Sequence, residues 1–413
     1  MNITRHLLLF ISMLVFAVSC EDLRQQPVYH YTLNNPADVG SRFPNLYKDN
    51  TETLYMSWLT HIDEDMYALQ YAVYANGRWT PERGIKVGTD FFVNWADFPS
   101  VVGIDGRAVA AHWLNDIEDV PNAYNIEVGF PGDHILRWED PIIPHLDGTD
   151  TEHGFVSLEP LNENRILAIW LDGRNTEGRG HDEYDDPEKA MTLRSAEVSG
   201  DGEITRKHVI DDMVCDCCQT DLAPAEDGYI AVYRGRSGDE VRDIRMSRYE
   251  PETGEWSDPE TVHDDQWKIQ ACPVNGPRVS AAGDYVAVAW YTEAGEEPRV
   301  LLARSTDGGE TFREPIVVAD GATLGRTDVV MTDEGSAYVS WLQRDGDTGY
   351  VMYREVLPND DLEEAINVGI TSSSRTSGFP RMEKVEDSLI FAWTQTEPHI
   401  RVRTAIVQLR QNE

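Results

Sequence analysis

The feature of this 413-residue chain that most constrains its fold is an internal repeat. One pattern recurs about every 50 to 60 residues: a short strand-like run, a turn, and an alternating apolar run that ends in an aromatic residue. Alternation of period two is typical of β-strands, and a repeat of this length indicates one structural unit copied along the chain. The seven copies span residues 41–58, 96–113, 154–170, 220–233, 276–290, 327–341 and 378–393.

Each unit has room for about four strands. In the fifth unit, 278–281 and 285–290 read as one hairpin, and 300–305 and 314–318 read as a second. Four-stranded units in series predict a β-propeller, in which radial packing limits exposed sheet edges. We therefore predict an all-β fold: a single β-propeller of four-stranded blades, with seven blades, or six and a decorated end as the alternative. The seventh unit lacks a clear fourth strand, so we expect the N-terminal segment 27–33 to supply it and close the ring.

The N-terminus has the pattern of a targeting segment. Arg5 precedes an apolar run, 7–18, that is too short to cross a bilayer as a helix, and Cys20 follows it closely. This pattern resembles a bacterial lipobox, in which the cysteine is lipidated and begins the mature chain. The resemblance implies a lipoprotein signal peptide at 1–19, a lipid-anchored tether at 20–26 and a propeller at 27–413. An ordinary signal peptide cleaved near residue 19 is the alternative.

Two acidic residues, Glu21 and Asp22, directly follow the cysteine. They resemble the surface-export signal of Bacteroidetes lipoproteins. We therefore expect an exported protein of the outer membrane or cell surface that faces the periplasm or the exterior. Its only membrane contact would be the lipid anchor.

The charge balance excludes one class of partner. The chain has 73 acidic and 35 basic residues, a formal net charge of −38. A field of that sign repels phosphate backbones, so we expect no binding of nucleic acid. A surface so rich in carboxylates also favours a soluble monomer.

The turn of the fifth unit carries a specific motif. Ser305, Asp307, Gly309, Thr311 and Phe312 follow the spacing S-x-D-x-G-x-T-F. This motif resembles the Asp-box of the BNR repeats in sialidases and related propellers. The resemblance implies a structural role away from the functional site, in which the aspartate and glycine shape the turn and the aromatic residue packs on the blade.

The repeat register also predicts where a site would lie. In a propeller, the starts of the innermost strands and the ends of the next strands share one face, which we call the mouth. The starts contribute Arg42, Asp97, His153, Cys217, Cys218, Gln219, Asp221, Asn275, Arg326 and Asp328, and the ends contribute His61, Asp116, Asp172, Arg174, Arg234, Arg236, Glu293 and Arg344. Buried arginines beside carboxylates need partners. Either they pair with each other around a wet channel, or they bind an anionic or hydroxyl-rich ligand.

Arg42, Phe43 and Pro44 resemble the R-I-P motif of sialidases, which carries the first of three arginines that hold the sugar carboxylate. Arginine suits this role because its planar fork can bind a carboxylate with two hydrogen bonds. The resemblance implies a carbohydrate or another small anionic ligand. Position at the mouth adds further candidates for ligand binding: Arg174, Arg234, Arg236 and Arg326.

Asp172 and Asp97 are the candidate catalytic carboxylates of the mouth. The tyrosine and glutamate pair that sialidases use is not found at the expected spacing. Three functions therefore stay open: an exo-α-sialidase-like glycoside hydrolase, a non-catalytic binding or scaffold propeller, and a thiolate metal or redox site.

The third function depends on Cys215, Cys217, Cys218 and Cys272. Their segments, C-x-C-C-Q-T and C-P-V-N-G-P, resemble those of an uncharacterised group of bacterial sialidase-like propellers. Neighbouring inner strands would bring the thiols together at the mouth. Export favours disulfides, such as Cys272 with Cys217 or Cys218. A copper or zinc site and a redox-active disulfide are the alternatives.

An acidic run at residues 181–186 offers one more candidate site. Clustered carboxylates can bind Ca²⁺. In a chain that is acidic throughout, a solvated loop is the favoured interpretation.

Overall fold

The computed structural model describes residues 29–31, 35–117, 120, 123–132, 137–178 and 187–409. Cys20, the signal peptide, the whole tether and the acidic run 181–186 lie outside these residues. Within them, no helix has both the length and the apolar character that a membrane span requires.

The described strands form seven antiparallel sheets, each a blade built mostly from consecutive strands. The first four blades contain these strands, from the innermost outwards. Blade 1 has β2 (Ser41–Lys48), β3 (Leu54–Asp63), β4 (Met66–Ala75), β5 (Arg78–Trp79) and β6 (Arg83–Gly88); blade 2 has β7 (Ser100–Ile104), β8 (Arg107–Asp116) and β9 (Tyr124–Gly129); blade 3 has β10 (His153–Asn162), β11 (Arg165–Asp172), β12 (Met191–Ser199) and β13 (Ile204–Val214); blade 4 has β14 (Asp221–Ala225), β15 (Gly228–Arg234), β16 (Ile244–Glu250), β17 (Glu255–Trp256) and β18 (Glu260–Thr261).

The remaining three blades complete the ring. Blade 5 has β19 (Arg278–Ala282), β20 (Tyr285–Thr292), β21 (Arg299–Ser305) and β22 (Ile316–Asp320); blade 6 has β23 (Asp328–Met331), β24 (Ala337–Asp345), β25 (Thr348–Val356) and β26 (Ile366–Ser372); blade 7 has β27 (Arg381–Val385), β28 (Ser388–Gln395), β29 (Arg401–Gln408) and β1 (Tyr29–Tyr31). Short 3₁₀ turns lie at Arg174–Thr176, Pro187–Lys189, Ala294–Glu296 and Arg375–Ser377. Each innermost strand contacts the innermost strand of the next blade, and β27 contacts β2.

The seven-bladed prediction is confirmed, and the six-bladed alternative is wrong. Ring closure follows the predicted route, because β1 pairs antiparallel with β29, with Tyr29 opposite Val407 and Tyr31 opposite Ala405. Blade 2 departs from the four-strand rule. In the described residues it has three strands, and an isolated bridge between Val128 and Ile142 extends it outwards.

The aromatic residue that ends each repeat lies in the interior of the protein. All seven are at most 3% exposed: Trp58, Trp113, Trp170, Tyr233, Trp290, Trp341 and Trp393. They belong to apolar clusters that combine residues of neighbouring blades, such as the cluster of Trp393 with Val330 of blade 6 and Met382 of blade 7. The large apolar area of these rings is removed from water between the sheets, so the repeat pattern is the pattern of inter-blade packing.

The Asp-box forms the turn between β21 and β22. The Ser305 hydroxyl donates to Asp307 Oδ1 at 2.6 Å and accepts from the Gly309 amide at 2.9 Å. Thr311 closes the turn on the Asp307 carboxylate with its amide, at 2.9 Å, and its hydroxyl, at 2.6 Å. Phe312 packs against the apolar cluster between blades 4 and 5. These contacts fix the turn and anchor it on the blade.

Candidate functional site

Arg42 lies near the start of the innermost strand of blade 1, at the mouth. The following residue, Phe43, has a left-handed backbone (φ 55°), and its amide donates to Thr394 Oγ1 of blade 7 at 2.8 Å. Arg42 is therefore carried on a segment anchored to the neighbouring blade. Its guanidinium carbon is 5.8 Å from the centre of the Tyr67 ring, and its buried Nε atom has no hydrogen-bond partner among the described residues.

Aromatic rings line the same end of the ring of blades. Trp95 stacks on Phe379 with 5.7 Å between the ring centroids, and Phe98 is 6.1 Å from Phe379. Arg326 and Arg375 lie 5.0 Å and 5.7 Å from the centre of the Trp95 ring. Trp95 is partly exposed, so the mouth presents an aromatic surface beside guanidinium groups.

Two of the predicted ligand-binding arginines are bound mainly to oxygen atoms of their own fold. Arg234 is 1% exposed and donates to the carbonyl oxygens of three residues, Asn275 at 3.0 Å, Arg242 at 2.6 Å and Tyr291 at 2.7 Å. Arg326 donates to Ser377 Oγ at 2.7 Å and to the Gly378 carbonyl at 2.9 Å. Burial is the first cause that lowers the pKa of Arg326 to about 10, followed by the charge of Arg375. These contacts join blades and give both side chains a structural role.

Arg236 belongs to a buried ion-pair network with residues that the repeat pattern did not select. Its Nη2 atom is 2.6 Å from Glu240 Oε1, and Arg242 Nη2 is 2.6 Å from the other oxygen of the same carboxylate. Asp216, between two of the cysteines, lies 3.6 Å from Arg236 Nη1. Burial works to raise the pKa of Glu240, but the hydrogen bonds from both arginines lower it below the usual value.

Asp172 and Arg174 form a second network at the end of β11. Arg174 binds the carboxylate of Asp172 with two hydrogen bonds of 2.6 Å and 2.7 Å, and its Nη2 atom is also 3.1 Å from Asp147 Oδ2. Burial works to raise the pKa of Asp172, but the hydrogen bond from Arg174 and the charge of His153 lower it below the usual value. A carboxylate held ionised in this way is a poor proton donor.

Two histidines stack beside this network. The rings of His145 and His153 are 3.8 Å apart and nearly parallel, and His153 Nε2 is 2.9 Å from Asp147 Oδ2. Burial is the first cause that lowers the pKa of His145 to about 4, with the neighbouring His153 second. One ligand atom each of His145, Asp147 and His153 lies within 4.8 Å of the others, so this triad is one of two groups in the described residues with the spacing of metal ligands.

The second such group is formed by three of the four predicted cysteines. The ligand sulfurs of Cys215, Cys217 and Cys218 lie within 4.8 Å of one another, and the sulfurs of Cys215 and Cys218 are 3.2 Å apart. Cys272 approaches Cys217, and all four thiols are free in the structure. Burial works to raise the pKa of Cys215, but hydrogen bonds from the other two thiols and the charges of Arg242 and Arg234 lower it well below the usual value. Burial raises the pKa of Cys217 and Cys218.

Asp97, the other candidate catalytic carboxylate, is 3% exposed. It accepts hydrogen bonds from the Phe155 amide at 2.8 Å and from the Tyr124 hydroxyl at 3.3 Å. Burial raises its pKa to about 7. Asp97 borders the central channel, whose cavity of about 210 Å³ is also lined by Asp221, Arg278, Asp328 and Arg381.

The repeat register selected Asp172, Arg174 and the cysteines but missed several of their partners. His145 and Asp147 lie in the irregular segment between β9 and β10, where no repeat position identifies them. Arg242 and Glu240 lie in the loop before β16. The sequence offered one clue to these partners: the charged segments 234–236 and 240–243 lie within ten residues and follow the cysteine segment.

The comparisons with known proteins concern the fold. No protein-family model matches the sequence, and no curated protein matches it. A crystal structure of a protein of unknown function from Dyadobacter fermentans matches 93% of this chain and 99% of its own, with a TM-score of 0.50 and 12% identity. The K499G mutant of NanB sialidase from Streptococcus pneumoniae matches 93% of this chain and 70% of its own (TM-score 0.45, 9% identity), and a leech intramolecular trans-sialidase matches 91% and 69% (TM-score 0.45, 10% identity). These likenesses assign no activity to the chain.

Proposed function

We propose that this protein is a non-catalytic binding propeller whose mouth takes up a small anionic ligand, with a carboxylated carbohydrate as the leading class. The observation that supports the proposal is the state of Arg42. Among the residues that the structure describes, this partly buried guanidinium forms no ion pair, although the chain has 73 acidic residues to 35 basic ones.

A guanidinium group removed from water without a counter-ion is unfavourable. Every other arginine that the repeat register selected for ligand binding already has partners: Arg174 with Asp172, Arg236 with Glu240, and Arg234 and Arg326 with carbonyl oxygens. Arg42 is therefore the candidate with donors to spare. A ligand carboxylate would supply the charge-assisted hydrogen bonds that it lacks.

The rings beside these arginines fit the rest of a sugar ligand. Tyr67 lies under Arg42, and Trp95 is partly exposed at the mouth. Binding sites for small molecules combine such aromatic surfaces with a few polar groups that set orientation. Arg174, whose side chain is 24% exposed, is a secondary candidate for contact with the ligand.

The two candidate carboxylates favour binding over hydrolysis. A glycoside hydrolase requires a protonated carboxylic acid that reaches the bond to be cleaved. Asp172 is held ionised by Arg174, and Asp97 is buried against Phe155 and Tyr124. Neither presents an accessible proton to a ligand at the mouth.

Calorimetric titration with N-acetylneuraminic acid, glucuronic acid and neutral galactose tests the proposal. We expect binding of an acidic sugar that Arg42→Ala weakens by about 10- to 100-fold, the scale of one lost charge-assisted hydrogen bond. Arg107→Ala is the matched control, because Arg107 is an exposed arginine at the opposite end of its strand pair. Equal binding of galactose, an unchanged affinity in Arg42→Ala, or turnover of a fluorogenic sialoside would each contradict the proposal.

The proposed location is the cell envelope, with Cys20 as the lipid-bearing residue. Membrane fractionation of cells that express the Cys20→Ala variant tests it. Release of the variant from the membrane fraction is the expected result, and continued membrane association would overturn the assignment.

A further inference from the structure

The three-cysteine group is held in place by hydrogen bonds to backbone groups of neighbouring blades. It lies in the short segment that leaves β13 of blade 3 and enters β14 of blade 4. The Cys215 amide donates to the Arg234 carbonyl at 3.0 Å, and Val214 forms a bridge with Gly235. Gln219 anchors the other end, because its side chain donates to the Ala96 carbonyl at 2.6 Å and accepts from the Gly276 amide at 3.0 Å. The thiols are therefore presented by a preorganised loop.

The three cysteines differ in solvent exposure, and the difference suits a bound ion. Cys215 and Cys218 are at most 2% exposed, whereas Cys217 is partly exposed. A metal ion can enter past Cys217 and be held by two thiolates inside the protein. A protein substrate for thiol exchange could not reach the sulfurs of Cys215 and Cys218, which are almost completely covered, and this favours a small ion over a redox partner.

A positively charged side chain contacts the cysteine group. Arg242 donates from Nη1 to the Cys215 sulfur at 3.3 Å, and Glu240 fixes the same guanidinium at 2.6 Å. Outer-shell hydrogen bonds of this kind orient metal ligands and tune them. A guanidinium also offsets the negative charge that several thiolates retain after they bind a monovalent cation.

The triad of His145, Asp147 and His153 lacks this match between the charge of the ligands and the charge of their neighbours. Its carboxylate, Asp147, is already 3.1 Å from Arg174 Nη2, and Arg194 lies 3.6 Å from the adjoining Asp172. Two guanidinium groups beside nitrogen and carboxylate ligands oppose the binding of a divalent cation. The cysteine group is the better metal site of the two.

We propose that Cys215, Cys217 and Cys218 bind one copper(I) ion as a three-coordinate thiolate site. Soft thiolates select Cu(I) and Zn(II) among biological metals, and structural zinc sites almost always have four ligands. In the described residues, no fourth cysteine, histidine or carboxylate atom joins these three sulfurs within 4.8 Å. Binding forms three sulfur–copper bonds and releases the thiol protons to the solvent, with no change in oxidation state.

The site is tested on the reduced mature chain, residues 20–413, under anaerobic conditions. Cu(I) is titrated against the competing chelator bicinchoninate, and copper X-ray absorption counts the sulfur ligands. We expect one Cu(I) per chain with three sulfur neighbours. Cys215→Ser and Cys218→Ser should lower the affinity by more than about 100-fold, because loss of an outer-shell partner alone costs roughly 10- to 100-fold. Arg242→Gln should show that smaller loss.

Cys272→Ser is the matched control, because it removes a neighbouring thiol and should leave the stoichiometry unchanged. Circular dichroism establishes that each variant is folded. The copper X-ray absorption spectrum of the wild-type chain tests the site without any substitution. Preferential uptake of Zn(II) with four sulfur ligands would overturn the proposal. So would a Cys215–Cys218 disulfide in the exported protein together with no copper uptake after reduction.

Discussion

Asp328 in blade 6 accepts a hydrogen bond of 2.9 Å from the amide of Met382 in blade 7. Asp221 makes the same contact with Val279 of the next blade, and Asp97 with Phe155, both at 2.8 Å. At three of the blade boundaries, an aspartate near the start of one innermost strand therefore binds the start of the next. Three residues that the repeat register placed at the mouth have this structural function.

Substitution of Asp328 should lower the stability of the propeller, because it removes the hydrogen bond from Met382 and the ion pairs with Arg278 and Arg381. Asp328 also binds Arg278 at 3.1 Å and lies 3.5 Å from Arg381, so Asp328→Ala leaves two channel arginines without this partner. Breaking a buried pair in this way typically costs about 3–5 kcal/mol. We expect a loss of that order in the free energy of unfolding, measured with urea. Asp328→Asn keeps an acceptor and should lose less, and Asp333→Ala, on the exposed turn of the same blade, should be neutral.

Asp97 should make stability depend on pH. Its pKa is raised to about 7 by burial, whereas an unfolded aspartate titrates near 4. The folded state therefore holds a proton that the unfolded state has lost, and this contribution to stability is present below pH 4 and is lost as the pH rises to 7. Asp97→Asn should remove a slope of about 1.4 kcal/mol per pH unit between these values, measured by denaturation at several pH values. Asp116→Asn, an exposed change, is the control, and identical slopes in both variants would contradict the assignment.

Gly309 should be essential to the Asp-box turn. Its φ is 85°, and an added Cβ atom would lie 3.0 Å from Ile230 Cδ1 of blade 4. Gly309→Ala should cost about 1–3 kcal/mol of stability, since it combines a strained backbone with a close contact. Gly238→Ala is the matched control, because its Cβ atom meets nothing within 4 Å. Ligand and copper binding should survive in Gly309→Ala, since the turn lies at the opposite end of β21 from the mouth.

The N-terminal strand should protect the outer edge of blade 7. Deletion of residues 20–31 removes the partner of β29 and exposes its backbone groups, which favours edge-to-edge association. We expect lower thermal stability and oligomers in size-exclusion chromatography. Deletion of 20–26 alone removes only the tether and should remain monomeric. A monomer of unchanged stability after the longer deletion would show that β1 does not contribute.

The blade number and the closure of the ring could be read from local patterns. Each repeat ends in an aromatic residue that packs between sheets, as Trp58 and Trp393 do, so counting these residues counted the blades. The N-terminal strand was predicted by elimination, because the seventh unit lacked an outer strand. The Asp-box turn was predictable for a different reason: its hydrogen bonds join residues at most four apart in the chain.

The partners of the mouth residues depended on the tertiary structure. The register placed Arg174 and Arg326 at one end of the blades, but whether each faced a carboxylate, a carbonyl oxygen or open space depended on segments outside the repeat. Asp147 reaches Arg174 from the irregular segment before β10, and Gly378 reaches Arg326 from 52 residues away. Strand alternation and turn chemistry act over a few residues, so the sequence by itself determined the blades. Side-chain pairing at the mouth joins residues from different blades. Only the folded ring therefore decided which arginine forms no ion pair within the described residues and which cysteines come together.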